Sequence, residues 1–123
     1  MQHFQEELRK FDKDRNWGQF RDPRDILLGI VEEVGEIRNF VKWESNPEVI
    51  NKVVRENRAE IEDGIGDLLW CVFLLANRFD VDAEKAFKDV IESNKKRFPP
   101  ELVKGKNTNL YTNPGTDLKY ANK

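Results

Sequence analysis

Acidic side chains recur at helical spacing in two separate stretches of the chain. In the first stretch, LLGIVEEVGEI, Glu33 and Glu36 lie three residues apart, and Glu33 shares a helix face with apolar residues one turn before and after it. The second stretch carries acids at spacings of three and four residues, which places them along one side of a helix: Glu60, Asp63 and Asp67. Two helices are therefore predicted to direct four or five carboxylates toward a common interior.

Carboxylates gathered in an interior need cations beside them. Burial of one ionised carboxylate costs several kcal/mol, and like charges add repulsion. The inward positions one turn away are mostly apolar, so divalent cations are favoured over lysine or arginine, and all-oxygen ligands suit Mg²⁺ or Mn²⁺ rather than zinc. The alternative is that these acids are solvated, because most helix acids are, and EExxE is a common string in helices.

Helices must position these acids, since the long stretches between glycines and prolines have helical periodicity. Asp22 before Pro23 and Asn46 before Pro47 are typical helix starts. The apolar segment LLWCVFLLA predicts a central helix that includes Trp70 as a core residue. The predicted helices cover residues 4–11, 23–43, 47–54 and 57–79. A last helix begins at a cap, Asp80 or Asp82, and ends at Pro99. Its inward-facing residues are predicted to be Ala83, Ala86, Phe87, Val90 and Ile91.

The fold class predicted from these elements is all-α, a small bundle of about four main helices. Residues 1–104 are predicted to form one helical domain, and residues 105–123 an extended or disordered C-terminal tail. A bundle of this size often gains further burial by association, so we expect an oligomer.

Composition excludes several classes of function. The net charge of −2 gives no general attraction to nucleic acid or to an anionic membrane, and neither a membrane-spanning run nor a signal peptide is recognisable. A single cysteine, Cys71, cannot form an internal disulfide, so a cytoplasmic location is expected. A di-iron bundle needs Glu-x-x-His on two helices, and the only histidine is His3.

Three segments together resemble the MazG-like, all-α nucleoside triphosphate pyrophosphohydrolases: LLGIVEEVGEI (residues 27–37), GDLLW (residues 66–70) and FDVDAEKAFKDVIESNKKRFP (residues 79–99). Within that family, the order RNWGQF, DPRDILL, EEVGE, Trp43, RFPPEL and LYT is similar to the dCTP pyrophosphatase group. The resemblance runs from about Phe11 to Thr112. It implies hydrolysis of a (d)NTP to (d)NMP and pyrophosphate, with Mg²⁺ as cofactor and Mn²⁺ as a possible substitute.

The resemblance also implies a metal-ligand set. Glu33, Glu36 and Asp67 match the family's Mg²⁺ ligands, while Gly64 stands where the family usually has a further glutamate. Asp63, four residues before Asp67, is the first candidate to replace that glutamate. Glu60 is the second candidate, because Glu60 and Asp63 themselves have the family's ExxD spacing.

Catalytic and substrate-binding roles follow in the same way. Glu36 or Glu32 would orient the attacking water or accept its proton. If Glu32 is only a solvated residue, Glu36 or a free ligand oxygen serves instead. The substrate-binding candidates are Trp17, Phe20 and Trp43 for the base and Asn94 and Arg97 for phosphate or sugar. The alternatives are ordinary packing for the aromatics and a solvated basic helix end for Arg97. Cys71 stands where the dCTP group has a tyrosine near the sugar.

Two rival functions stay open. A related pyrophosphohydrolase could act on dUTP or phosphoribosyl-ATP with the same motifs. A non-catalytic helical adaptor would carry these acids only as surface charge. The partners expected for the enzyme are a nucleoside triphosphate and further copies of the chain, in a homodimer or homotetramer with active sites near the subunit boundaries.

Overall fold

The structure, a computed structural model, describes residues 1–105, and that range contains helices and no strand. The helices are α1 (Gln2–Arg15), α2 (Pro23–Asn39), α3 (Pro47–Glu56), α4 (Arg58–Arg78), α5 (Ala83–Arg97) and α6 (Pro100–Val103), and a 3₁₀ turn covers Gly18–Phe20. The all-α prediction is confirmed. The 3₁₀ turn and α6 are too short to leave a periodic pattern, and neither was predicted.

The helices fall into two compact units, one formed by Met1–Asp82 and one that begins at Ala83. The predicted single domain of residues 1–104 stays a prediction. The predicted tail, residues 105–123, lies outside the described residues except for Gly105.

The two proline-marked helix starts are confirmed. The Asp22 carboxylate accepts a hydrogen bond from the backbone N–H of Arg24 at 2.8 Å. The Asn46 side-chain oxygen accepts one from the backbone N–H of Glu48 at 3.0 Å. In each case the cap satisfies a donor that the first turn of a helix leaves free, and the proline follows where no N–H is needed.

Two helix ends differ from the prediction. α1 continues past Phe11 until Asn16, whose left-handed backbone (φ 54°) ends it. The prediction that α2 reaches Trp43 is wrong, because α2 ends at Asn39 and the chain then tightens into turns. Apolar residues continue beyond Asn39 at helical spacing, so the side-chain pattern does not reveal this end.

α4 is the central helix of the first unit and packs against α1, α2 and α3. Leu8, Ile26 and Leu74 are buried at this junction, and Trp70 packs against them. The prediction of a central α4 with Trp70 in the core is confirmed. The LLWCVFLLA segment is not enclosed, however, because Leu69 keeps 48% of its surface exposed.

A buried amide pair joins α1 to the end of α4. Gln5 is 2% exposed, and its side-chain amide donates to the Asn77 side-chain oxygen at 3.0 Å and to the Val81 carbonyl at 2.9 Å. Asn77 returns a hydrogen bond to the Gln5 carbonyl at 3.1 Å. These bonds fix how α1 lies on α4, since breaking one would strand a buried polar group.

The second unit is built on α5. Contrary to the prediction that its apolar stripe faces inward, Ala86, Phe87, Val90 and Ile91 are exposed among residues 1–105. The stripe has the correct helical spacing, but the described residues do not cover it. None of the helices within residues 1–105 has both the length and the apolar character needed to cross a bilayer.

Candidate metal centre and nucleotide site

Helices α2 and α4 run antiparallel, and their contacts define which acids face one another. Near one end of the pair a Cβ added to Gly29 would lie 3.5 Å from the Cys71 sulfur, and at the other a Cβ on Gly64 would lie 3.1 Å from Ile37 Cγ1. Residue numbers thus rise along α2 as they fall along α4. This register sets Glu33 at the level of Asp67.

The predicted acids come together along this helix pair. A groove of about 400 Å³ is bordered by four acids, two apolar side chains, one amide and one glycine: Glu36, Glu60, Asp63, Asp67, Ile37, Phe40, Asn39 and Gly64. Both candidates for the missing family glutamate therefore border the groove together with the predicted ligands Glu36 and Asp67. Asn39, one turn after Glu36, also lines the groove, and it was not predicted because an exposed amide at a helix end carries no distinctive pattern.

Glu33 lies half-buried on α2, beside this acidic cluster. Its Oε2 atom is inaccessible to solvent and has no hydrogen-bond partner among the described residues. Burial raises the pKa of the Glu33 carboxyl, and the charges of Glu36, Asp67 and Asp63 raise it further. A buried carboxylate oxygen without a partner is costly, and a cation would relieve that cost.

The expectation of a common buried interior is only partly correct. Glu36, Asp63 and Asp67 are exposed, because residues 1–105 leave the groove between α2 and α4 open. Within residues 1–105, no three carboxylate, thiol or imidazole groups are gathered in a way that could hold a metal ion. The donor chemistry fits a hard divalent ion, and the exposed carboxylates can rotate toward one, but they are not preassembled around it.

Two residues discussed above, Glu32 and Cys71, do not line the groove. Glu32 is exposed and does not line the groove, so its catalytic role stays a prediction. Cys71, one turn beyond Asp67, is partly buried, and this burial raises the pKa of its thiol, with a further contribution from the charges of Glu33 and Asp67.

The predicted base-binding aromatics lie outside the carboxylate groove. Trp17 packs edge-on against Phe11 with ring centroids 5.7 Å apart, and Phe11 packs edge-on against Trp70 at 5.0 Å. Trp17 is thus anchored on the core while part of its surface stays exposed. Phe20, on the 3₁₀ turn, is 67% exposed, which argues against a packing role.

Trp43 has the most unusual conformation of the candidates. Its φ is +69°, in the left-handed region that bulky residues seldom occupy. It is 89% exposed, and the guanidinium carbon of Arg38 lies 5.7 Å from its ring centroid. A large exposed aromatic ring held in a strained conformation is typical of a binding residue rather than a core residue.

The last two candidates belong to the second unit. Arg97 lies at the end of α5 and is buried, and it donates a hydrogen bond to the Asn94 side-chain oxygen at 3.2 Å. The pair is therefore positioned as one group. Its part in substrate binding stays a prediction.

The chain is similar to known proteins over most of its length. Residues 21–100 match the MazG nucleotide pyrophosphohydrolase domain. The chain is 33% identical over 97 residues to dCTP pyrophosphatase 1 of Rattus norvegicus, a match that covers 78% of this chain and 57% of the relative. It is also 33% identical over 97 residues to dCTP pyrophosphatase 1 of Homo sapiens, a match that covers 77% of this chain and 56% of the relative. The chain thus spans a little over half the length of these relatives.

A solved structure agrees with the fold. A pyrophosphatase from Archaeoglobus fulgidus DSM 4304 superposes with a TM-score of 0.72 at 24% identity, covering 80% of this chain and 92% of that one. This likeness supports the helical architecture alone. The match over residues 21–100 includes α2 and α4 with their acids, and the chain belongs to the MazG nucleotide pyrophosphohydrolase domain family.

Proposed function

We propose that this chain is a metal-dependent nucleoside triphosphate pyrophosphohydrolase, which converts a (d)NTP and water to a (d)NMP and pyrophosphate. The observation that carries the proposal is the α2–α4 groove, which Glu36, Asp63 and Asp67 border, with the unpartnered Glu33 oxygen on the same helix pair at the level of Asp67. Membership of a nucleotide pyrophosphohydrolase family supports the same reaction.

Four carboxylates would hold the metal: Glu33, Glu36, Asp63 and Asp67. An all-oxygen set of this kind suits Mg²⁺, with Mn²⁺ as a substitute. A bound divalent ion supplies charge neutralisation for the triphosphate and makes a nearby water more acidic. The exposed groove leaves space for the phosphates, which an enclosed four-carboxylate site would not.

The proton of the attacking water goes to a carboxylate of this chain. The water oxygen forms a bond to the α-phosphorus, the bond to the bridging α–β oxygen breaks, and pyrophosphate leaves with that electron pair. Glu36 borders the groove and accepts the water's proton, with Glu32 one turn earlier as the second candidate. Attack at the α-phosphorus is the family's reaction rather than a consequence of the geometry.

The substrate is proposed to be a pyrimidine nucleotide, dCTP in the first place, because the matched relatives are dCTP pyrophosphatases. Trp17, Phe20 and Trp43 offer exposed ring surface for the base, and a stacked base gains about 1–3 kcal/mol per aromatic partner. Asn94 and Arg97 would contact phosphate or sugar. The cytoplasmic location, and the absence of nucleic-acid and membrane partners, remain expectations from composition.

A second copy of the chain is the proposed partner. Exposed apolar residues lie on both helices of the central pair: Leu27, Leu28, Val31 and Val34 on α2, and Ile65, Leu69 and Val72 on α4. Covering this surface favours a homodimer or a tetramer of dimers.

Light scattering at micromolar concentration tests the assembly. We expect at least two copies for the natural chain. Val31→Glu, at a position 67% exposed, should shift the protein toward monomer, while Arg24→Glu on the same helix should not. A monomeric natural chain would contradict the proposal.

A substrate panel tests the reaction. Each dNTP and NTP, and phosphoribosyl-ATP, is incubated with Mg²⁺ or Mn²⁺ and assayed for pyrophosphate. We expect release from dCTP, lost on chelation and in Glu33→Gln. A preference for dUTP or phosphoribosyl-ATP would keep the reaction and change the substrate. No release from any compound with either metal would leave the adaptor as the better explanation.

A further inference from the structure

A second cavity lies on the first unit, formed by α1, the turn after it and the end of α4. It has a volume of about 370 Å³ and is lined by four cations, one carboxylate and four uncharged residues: Arg9, Lys13, Arg21, Arg78, Asp12, Asn16, Gly18, Leu74 and Asn77. The chain as a whole has a net charge of −2. The positive lining is therefore a local concentration of charge.

Two of the lining cations are already neutralised. Arg21 donates to both oxygens of Asp12, through Nε at 3.0 Å and Nη2 at 2.7 Å, in a partly buried pair. Arg9 is paired with Glu6, which does not line the cavity, at 3.0 Å. The Asp12 carboxylate is thus occupied and presents little negative charge to the cavity.

The other two cations are not part of an ion pair. Within residues 1–105, no carboxylate lies within ion-pair distance of Lys13 or Arg78, although the charge of Lys13 acts on Asp14 and that of Arg78 on Asp22 at longer range. The Arg78 Nε donates to the Arg21 carbonyl at 3.2 Å. That bond holds one edge of the guanidinium and leaves its remaining N–H groups available. Lys13 comes from α1 and Arg78 from α4, so the tertiary fold, not one helix, brings them to the same cavity.

We infer that this cavity binds a small phosphate-bearing anion. Two cations that are not in ion pairs match a phosphate dianion in charge, and arginine and lysine are the usual phosphate partners in proteins. The volume lies at the small end of ligand cavities, which suits inorganic phosphate, pyrophosphate or one nucleoside monophosphate. No residue proposed for metal binding or proton transfer lines it, so this site is separate from the carboxylate groove.

The competing explanation is that these cations serve the helix ends. Lys13 and Arg78 lie in the last turns of α1 and α4, where each helix has about half a negative charge. Under that explanation the two cations stabilise the empty fold and bind no anion. The two explanations predict different results for the same variants.

Calorimetric titration of the full chain in EDTA tests the site independently of turnover. Inorganic phosphate, pyrophosphate and dCMP are titrated separately, which distinguishes a free anion from one attached to a nucleoside. We expect saturable binding of at least one probe, weakened by salt. Lys13→Gln/Arg78→Gln should lower the affinity about tenfold or more, because each cation supplies charge-assisted hydrogen bonds.

Matched controls make the outcome decisive. Lys52→Gln/Arg55→Gln removes the same charge from α3 and should change the affinity less than twofold, and Glu33→Gln/Asp67→Asn should retain binding in EDTA. Circular dichroism checks the folding of each variant, and Lys13→Gln alone, at an exposed position, serves if the double variant unfolds. The proposal is overturned if no probe shows saturable binding, or if the α3 control variant loses as much affinity as Lys13→Gln/Arg78→Gln. It is also overturned if Lys13→Gln/Arg78→Gln loses thermal stability but keeps its affinity for the probes.

Discussion

Asp63 and Asp67 lie one turn apart on α4 and border the same groove as Glu60. If Asp63 and Asp67 both hold the metal, Asp63→Asn should reduce turnover as severely as Asp67→Asn. The expected loss is at least about 100-fold, since even residues that only support metal ligands cost 10–100-fold. Glu60→Gln should be milder, because Glu60 lies almost two turns from Asp67. Steady-state rates at saturating Mg²⁺, with folding checked by circular dichroism, measure this order.

Two other rankings of the turnover losses in these variants would change the ligand assignment. Equal losses in Glu60→Gln and Asp63→Asn would identify Glu60 and Asp63 as the functional pair. Full activity in Asp63→Asn together with higher stability would remove Asp63 from the site, because removing one charge from an acidic cluster relieves repulsion.

The reactivity of the Cys71 thiol depends on two nearby carboxylates, one on α2 and one on its own helix α4. Its pKa is raised by burial and then by the charges of Glu33 and Asp67, so the neutral thiol persists to higher pH and the reactive thiolate is scarce near pH 8. Glu33→Gln should lower the thiol pKa and speed its reaction with a disulfide reagent at that pH. Glu32→Gln, the exposed neighbour on α2, should leave the rate unchanged. Equal rates of reaction with the disulfide reagent in the natural chain, Glu33→Gln and Glu32→Gln would show that Glu33 does not influence the thiol.

At the scale of the helices, Gly64 sets how closely α2 and α4 approach. A Cβ there would lie 3.1 Å from Ile37 Cγ1, whereas a Cβ on Gly66 would meet nothing within 4 Å. Alanine gains about 1 kcal/mol over glycine inside a helix, but overpacking costs about 1–3 kcal/mol. Gly66→Ala should therefore stabilise the protein, and Gly64→Ala should be less stable than Gly66→Ala by about 1–3 kcal/mol.

Chemical denaturation measures both variants, with Gly66→Ala as the control for helix propensity. Equal stabilisation by the two alanines would mean that Ile37 moves aside without cost, and the close packing at Gly64 would then have no energetic weight.

The presence of a helix was predictable from the sequence where apolar periodicity or a capping residue indicated it. Asp22 with Pro23, and Asn46 with Pro47, marked the starts of α2 and α3, and the hydrogen bonds of both caps are present. The end of α2 was not predictable, because Phe40 and Val41 continue the apolar pattern into turns that only backbone hydrogen bonds define. The same limit applies to the site: spacing placed the acids on shared faces, but their exposure depends on how much of the groove the chain itself covers.

At the scale of the whole molecule, the open carboxylate groove predicts a large effect of metal on stability. An ion that binds only the folded state at 100 times its dissociation constant adds about 2.7 kcal/mol. Millimolar Mg²⁺ should therefore raise the melting temperature by several degrees, and chelation should reverse the change. Differential scanning calorimetry of the natural chain and of Glu33→Gln/Asp67→Asn, which should not respond, measures this. A flat response of the natural chain across millimolar Mg²⁺ would count against the metal centre.

The contact between Gly64 and Ile37 also constrains the order in which substitutions can accumulate during evolution. A glutamate at Gly64 would place its Cβ 3.1 Å from Ile37 Cγ1, so the Ile37 side chain would have to shift slightly, and a smaller side chain at position 37 would remove that cost. If Ile37 does not adjust, the opposite order passes through an overpacked helix pair, which costs stability. We therefore expect positions 37 and 64 to vary together among descendants of this chain, and an acid at 64 to free Asp63 to vary.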